Sequence, residues 1–108
     1  MHSNGIIHRD IKPDNILIKN QERLLVSLSD FGLVAELNDI QRLKIKCGTP
    51  GYIDPAVLNG KKFSEKSDIF SVGCVLYELL IKENFFDGES KDKILYNNQY
   101  LHPYNVLS

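Results

Sequence analysis

Between positions 8 and 32 the chain carries His8-Arg9-Asp10-Ile11-Lys12-Pro13-Asp14-Asn15 and then Asp30-Phe31-Gly32. Phosphoryl transfer needs a carboxylate to orient the attacking hydroxyl, cations to spread charge on the moving group, and oxygen ligands for a hard cation such as magnesium. Side chains of all three kinds lie in this short interval. Taken singly, each piece is ordinary, because Asp10, Asp14 and Asn15 beside Pro13 are turn formers and short motifs recur by chance. Two further runs follow in order: Cys47-Gly48-Thr49-Pro50-Gly51-Tyr52 and Ser67-Asp68-Ile69-Phe70-Ser71-Val72-Gly73.

The elements that must position these groups can be read from the pattern. Lys12 precedes proline and is pushed toward an extended conformation, so the segment around it is a loop and not a helix. Ile16-Leu17-Ile18 and Leu24-Leu25-Val26-Ser27-Leu28, separated by a polar stretch, predict a β-hairpin. From Leu33 to Gly60 weak periodicity and repeated Pro and Gly predict loop. Ser67-Asp68 offers N-cap chemistry to a helix over about 67–82, apolar on nearly all sides through Ile69, Phe70, Val72, Val75, Leu76, Leu79 and Leu80. After the turn signal Asp87-Gly88, a further helix is expected over about 90–100.

In this order and spacing the runs resemble a eukaryotic protein kinase domain of the serine/threonine type. The resemblance implies an α+β fold: a partial protein-kinase-like C-terminal lobe, with a β-hairpin and a mainly α-helical remainder. Residues 1–108 would form one partial domain, with the catalytic loop at 8–15, the metal-binding turn at 30–32, and the activation and docking loop at 33–56. It further implies that Asp10 accepts the substrate hydroxyl proton, that Lys12 contacts the γ-phosphate of ATP, and that Asn15 and Asp30 hold Mg2+. Leu17 would pack beneath the adenine ring, and Gly32 would allow the sharp turn that aims Asp30. His8 and Phe31 would belong to an apolar spine. Asp68 would hydrogen-bond the catalytic-loop backbone, and Thr49 in the docking loop would reach toward Asp10 and Lys12. In many relatives Arg9 receives an activating phosphate.

The chain departs from the family pattern in three places. It holds no Gly-rich phosphate loop and no counterpart of the strand lysine or helix glutamate that clamp ATP, so residues 1–108 alone are expected to be inactive. Asp54-Pro55-Ala56 replaces the family's Ala-Pro-Glu, which removes a buried glutamate and, with it, the anchor of the docking loop. Between Gly32 and Cys47 there is no Ser, Thr or Tyr. Phosphoproteomic mapping is expected to recover no activating phosphopeptide from residues 33–47, which leaves Arg9 to seek a carboxylate such as Glu36 or Asp39, or solvent.

Thirteen basic and fourteen acidic side chains nearly cancel, and no cationic stripe is interleaved with aromatics, which speaks against nucleic acid and anionic membrane as partners. The apolar stretch Ile69 to Ile81 is too short and too polar for a membrane span. Cys47 and Cys74 are not spaced as a metal motif, so a reduced, intracellular and most simply cytoplasmic setting is expected. Cys47 reads as inert, and His2 and His102 read as surface residues. The expected partners are ATP and a protein substrate, and a partner protein could cover the apolar helix. One alternative reading is a catalytically inactive truncated lobe acting as an interaction module. Another is a piece of a longer kinase in which Met1 is internal.

Overall fold

The computed structural model describes residues 2–20, 22 and 25–100, and the side chains of all of these but 17–20, 25 and 26. The role expected of Leu17 therefore falls on a side chain outside the described residues, as does the reading of His102. Within them the fold is α+β, with two small antiparallel sheets and four helices. Strand β1 (Ile6–Ile7) pairs with β4 (Ala35–Glu36), placing Ile7 opposite Ala35. Strands β2 (Ile16–Asn20) and β3 (Leu25–Leu28) form the expected hairpin, with Ile16 opposite Leu28 and a register irregularity between Ile18 and Asn20.

The segment from Leu33 to Gly60 is more ordered than its sequence predicts. Besides β4 it holds α1 (Ile40–Leu43) and α2 (Pro55–Leu58). Each is a single turn started by an aspartate: Asp39 accepts from the Arg42 N–H at 3.2 Å, and Asp54 from the Ala56 N–H at 3.0 Å. Four-residue turns are too short for periodicity to reveal, and the cap is their main signature. Pro55 sits in the first turn of α2, where its missing N–H costs nothing.

Helix α3 spans Glu65–Ile81 and α4 spans Lys91–Tyr100. The start of α3 corrects the expected Ser67-Asp68 cap. Ser64 is the cap residue, and its N–H donates to the Ser67 hydroxyl at 3.0 Å. Asp68 cannot serve the helix end because its carboxylate is committed to the backbone of His8 and Arg9.

A core of Ile7, Ala35, Leu43, Ile53, Val57, Leu58 and Phe63 joins the β1/β4 ladder to α1 and α2. The longest helix contributes little to it. Its buried positions are Ser67, Asp68, Ser71, Cys74 and Val75, whereas Ile69, Val72, Leu76, Leu79 and Leu80 are exposed, Leu80 at 79%. Small and polar side chains face inward because the 47–56 loop packs against them and offers them acceptors: Ser71 Oγ donates to the backbone Tyr52 O at 2.6 Å, and Ser67 Oγ to the Asp54 carboxylate Oδ2 at 3.1 Å. Each large apolar side chain left in water forgoes about 1.5–3 kcal/mol of burial, a sizeable part of a usual stability of about 5–15 kcal/mol. Residues 1–108 produced alone are expected to self-associate and melt without a sharp transition. A monomer in sedimentation that unfolds cooperatively would count against this.

Candidate active site

The catalytic-type loop leaves β1 at Ile7 and is fixed from below by α3. Asp68, 2% exposed, accepts hydrogen bonds from the His8 N–H at 2.7 Å and the Arg9 N–H at 2.9 Å. His2 adds an Nε2 contact to the same carboxylate at 2.9 Å, so it is a half-buried partner of Asp68 and not the surface residue expected. These bonds hold Arg9 at φ 71°, a left-handed conformation that disfavours side chains larger than glycine.

Among the described residues the buried Arg9 finds neither a carboxylate nor solvent. Its Nε donates to Leu33 O at 2.6 Å and its Nη1 to Arg42 O at 2.8 Å, while the guanidinium lies 5.2 Å from the centre of the Phe63 ring. Two backbone carbonyls and an aromatic face satisfy the charge that Glu36 or Asp39 was expected to meet. Both ends of the 33–42 segment are thereby tied to the 8–15 loop.

His8 knits the loop to the hairpin. Its Nδ1 accepts from the Asp10 N–H at 3.1 Å and its Nε2 bonds Ser29 O at 2.9 Å, which together fit the neutral tautomer protonated on Nε2. The Ser29 N–H in turn donates to Asn15 O at 2.8 Å, and Asn15 Nδ2 donates to Asp10 O at 2.8 Å. Asn15 is buried at the end of a 3-10 turn, Pro13–Asn15, that follows an extended Lys12 (φ −156°, ψ 165°). Proline thus excludes helix at Lys12 and starts a short turn one residue later.

In Asp30-Phe31-Gly32 the left-handed residue is Asp30, at φ 55°, and not Gly32. Aspartate tolerates that region, and its Oδ1 accepts from the Gly32 N–H at a long 3.4 Å. Gly32 matters by proximity: a Cβ there would lie 3.3 Å from Asp30 Oδ1. Phe31 meets His8 edge-on with ring centres 5.5 Å apart, yet is 56% exposed.

Across the site the 47–56 loop returns to Asp10. Thr49 Oγ1 donates to Asp10 Oδ1 at 2.7 Å, and Lys12 Nζ stands 4.0 Å from Asp10 Oδ2. Gly48, at φ 115°, permits this approach, since a Cβ would meet Arg9 O at 3.2 Å and Ile53 Cγ1 at 3.1 Å. Burial pushes the nearby Cys47 thiol above its ordinary pKa, which keeps it protonated and a poor nucleophile. Burial likewise raises the Tyr52 phenol, whose hydroxyl donates to Glu78 Oε1 at 3.0 Å.

Asp10, Lys12, Asn15 and Thr49 thus sit on one connected network, and Asp30 follows Ser29, whose backbone bonds Asn15 and His8, while its own carboxylate bonds the Gly32 N–H. Sequence reasoning misses Asn98 of α4 and Ser71 and Glu78 of α3, which hold the 51–53 segment of the 47–56 loop through its backbone and the Tyr52 hydroxyl. With Asp54, they fasten that loop in the presence of Ala56, so its anchoring is not lost. The donor set suits magnesium: an amide oxygen at Asn15 and a carboxylate at Asp30 are hard ligands of the kind that hold it together with phosphates. Among the described residues no cluster of three or more His, Cys, Asp or Glu forms a separate metal site, and no helix is long and apolar enough to cross a membrane.

Comparison with known proteins gives a family model described as protein kinase domain, matching residues 1–105. The serine/threonine-protein kinase nekl-2 of Caenorhabditis elegans is 44% identical over 95 residues, covering 88% of this chain and 26% of that protein. Calcium/calmodulin-dependent protein kinase type II of the same organism is 46% identical over 94 residues, covering 86% of this chain and 13% of that protein. Calcium-dependent protein kinase 4 of Plasmodium falciparum is 43% identical over 97 residues, covering 88% and 18%. The chain spans about a quarter or less of the length of these curated relatives.

Proposed function

This chain belongs to the protein kinase domain family, and we propose that residues 1–108 are the catalytic-loop part of the C-terminal lobe of a kinase that transfers the γ-phosphoryl of ATP to protein Ser or Thr. The observation that carries this reading is the 2.7 Å bond from Thr49 to Asp10, which ties the docking loop to a carboxylate 39 positions away. It leaves Asp10 Oδ2 to take the proton of an incoming hydroxyl while the oxygen of that hydroxyl bonds to the γ-phosphorus and the bond from phosphorus to the ADP oxygen breaks. Lys12, 4.0 Å from the same oxygen, lies on the side where phosphate charge must be met. Magnesium, held by Asn15 and Asp30, would supply neutralisation of phosphate charge. Asp68, His8 and the carbonyl-bound Arg9 keep the loop in place, and Leu17 is assigned to the adenine side. Serine or threonine as acceptor is supported by Lys12 and Thr49 and by the printed names of the relatives.

The test uses the full-length endogenous protein with magnesium, γ-labelled ATP and peptides differing only in a Ser, Thr or Tyr acceptor. Label on Ser or Thr is expected. Label on Tyr alone, or none, would sink the proposal. A second reading, a non-catalytic module whose partner covers α3, draws support from the exposed Ile69, Val72, Leu76 and Leu79. It predicts partner capture that Leu76→Asp abolishes, with no phosphoryl transfer.

A further inference from the structure

Asn98 lies on α4, in a helix whose sequence shows no chemical motif, yet it is fully buried at 0% exposure. A carboxamide so placed must meet its partners within the protein, since each unmet polar group is costly. All of its partners are backbone groups of the docking loop. Oδ1 accepts from the Gly51 N–H at 2.9 Å and the Ile53 N–H at 3.2 Å, and Nδ2 donates to Ile53 O at 2.7 Å. Between these bonds, Tyr52 O accepts from Ser71 Oγ at 2.6 Å. The backbone from 51 to 53 is therefore gripped from two helices at once.

The approach of α4 is close enough to dictate the residue at 51. Gly51 is buried at φ 99°, and a Cβ on it would meet Ile94 Cγ2 at 3.3 Å. This grip lies directly after Thr49, whose carbonyl accepts from the Tyr52 N–H at 3.1 Å, closing the turn that presents the Thr49 hydroxyl to Asp10. It lies directly before Ala56, where the family's glutamate is absent.

We propose that Asn98 is a positioning residue: its side-chain amide clasps the loop at Gly51 and Ile53 and so sets the surface on which a protein substrate docks. The proposal rests on the kinase reading, and deepens it by assigning peptide affinity to a residue outside the catalytic loop. Only an amide satisfies the site, because it needs two acceptor lone pairs on one atom and a donor on the other. Asn98→Asp keeps the size but sets an anionic oxygen where Nδ2 stands 2.7 Å from Ile53 O; in a fully buried site that repulsion and the unpaired charge drive the side chain and the 51–53 backbone apart, opening the clasp on both amides with little loss of side-chain volume. Asn97→Ala is the control, since Asn97 Nδ2 donates to Asp87 O, at 2.7 Å, and, among the described residues, to nothing in the 51–53 segment.

The experiment is carried out on the full-length protein with the Asn98→Asp, Asn98→Ala and Asn97→Ala variants. It combines steady-state kinetics on a Ser/Thr peptide with hydrogen exchange at the 51 and 53 amides. Asn98→Asp is expected to raise the peptide KM about tenfold, to leave the ATP KM unchanged, and to speed exchange at Gly51 and Ile53 but not at His8 and Arg9. Asn97→Ala is expected to match wild type. Unchanged exchange at 51 and 53 in Asn98→Asp would overturn the proposal, as would a parallel rise of both KM values. If wild type transfers no phosphoryl group, the kinase reading fails and takes the peptide-docking role with it, while exchange alone still decides whether the clasp exists. Should Asn98→Ala not fold, Asn98→Asp carries the test.

Discussion

Asp10→Asn in the full-length protein is expected to lower kcat for peptide phosphorylation by about 10²- to 10⁴-fold, the range for removing a general base, with ATP affinity nearly unchanged. The substitution is close to isosteric. An amide oxygen at the Oδ1 position still accepts from Thr49 Oγ1, now at 2.7 Å, so the docking loop keeps its tie to the catalytic loop. What disappears is the proton acceptor at Oδ2 and the attraction for Lys12 Nζ, 4.0 Å away. The main-chain bonds at this residue, Asp10 N to His8 Nδ1 and Asp10 O to Asn15 Nδ2, do not depend on its side chain. Single-turnover kinetics at saturating ATP, paired with equilibrium nucleotide binding, check the split. A variant within threefold of wild type would remove Asp10 from the chemistry.

Asp68→Ala is expected to destabilise the protein by about 3–5 kcal/mol, the upper range for single substitutions. Two buried N–H groups, of His8 and Arg9, lose their acceptor, and each orphaned group costs about 1–3 kcal/mol. Arg9 also loses the bond that holds it at φ 71°, a conformation that costs about 1–3 kcal/mol unless its surroundings enforce it. Asp68→Asn, which keeps one acceptor oxygen, should fall between the two. Urea titration at neutral pH measures the difference. A loss below about 1 kcal/mol would mean that the loop holds itself through Arg9 and the carbonyls of Leu33 and Arg42.

The hairpin is legible in the sequence because two β-favourable runs flank a polar stretch, and α3 is legible because its apolar residues are dense. The face that α3 buries is not legible. Density says that a helix exists, but only the neighbouring backbone decides that Ser67, Ser71 and Cys74 point inward. The proximity of Asp10, Asn15, Thr49 and Asp68 can be anticipated only through the resemblance, since bonds spanning 39 and 60 positions leave no local pattern. Asn98 escapes notice for the same reason, with the added difficulty that polar residues on a weakly amphipathic helix read as solvent-facing. Arg9 escapes because its partners are carbonyls, which every residue possesses. The turn at Asp30 is missed because a glycine two residues on is the more obvious candidate for a positive φ.

The bonds that complete the site link early positions to late ones: residues 8 and 9 to 68, and 51 and 53 to 98. During synthesis, roughly 90 residues must follow Asp10 out of the ribosome before Asn98 can close the last of them, about 4 to 18 s at ordinary elongation rates. Over that interval the hairpin, whose strands are near neighbours in the chain, can pair while the catalytic and docking loops still lack their late partners. A nascent chain of this protein therefore pairs its hairpin well before the loops around Asp10 close, and the exposed apolar face of α3 stands open to chaperones both during that interval and after it.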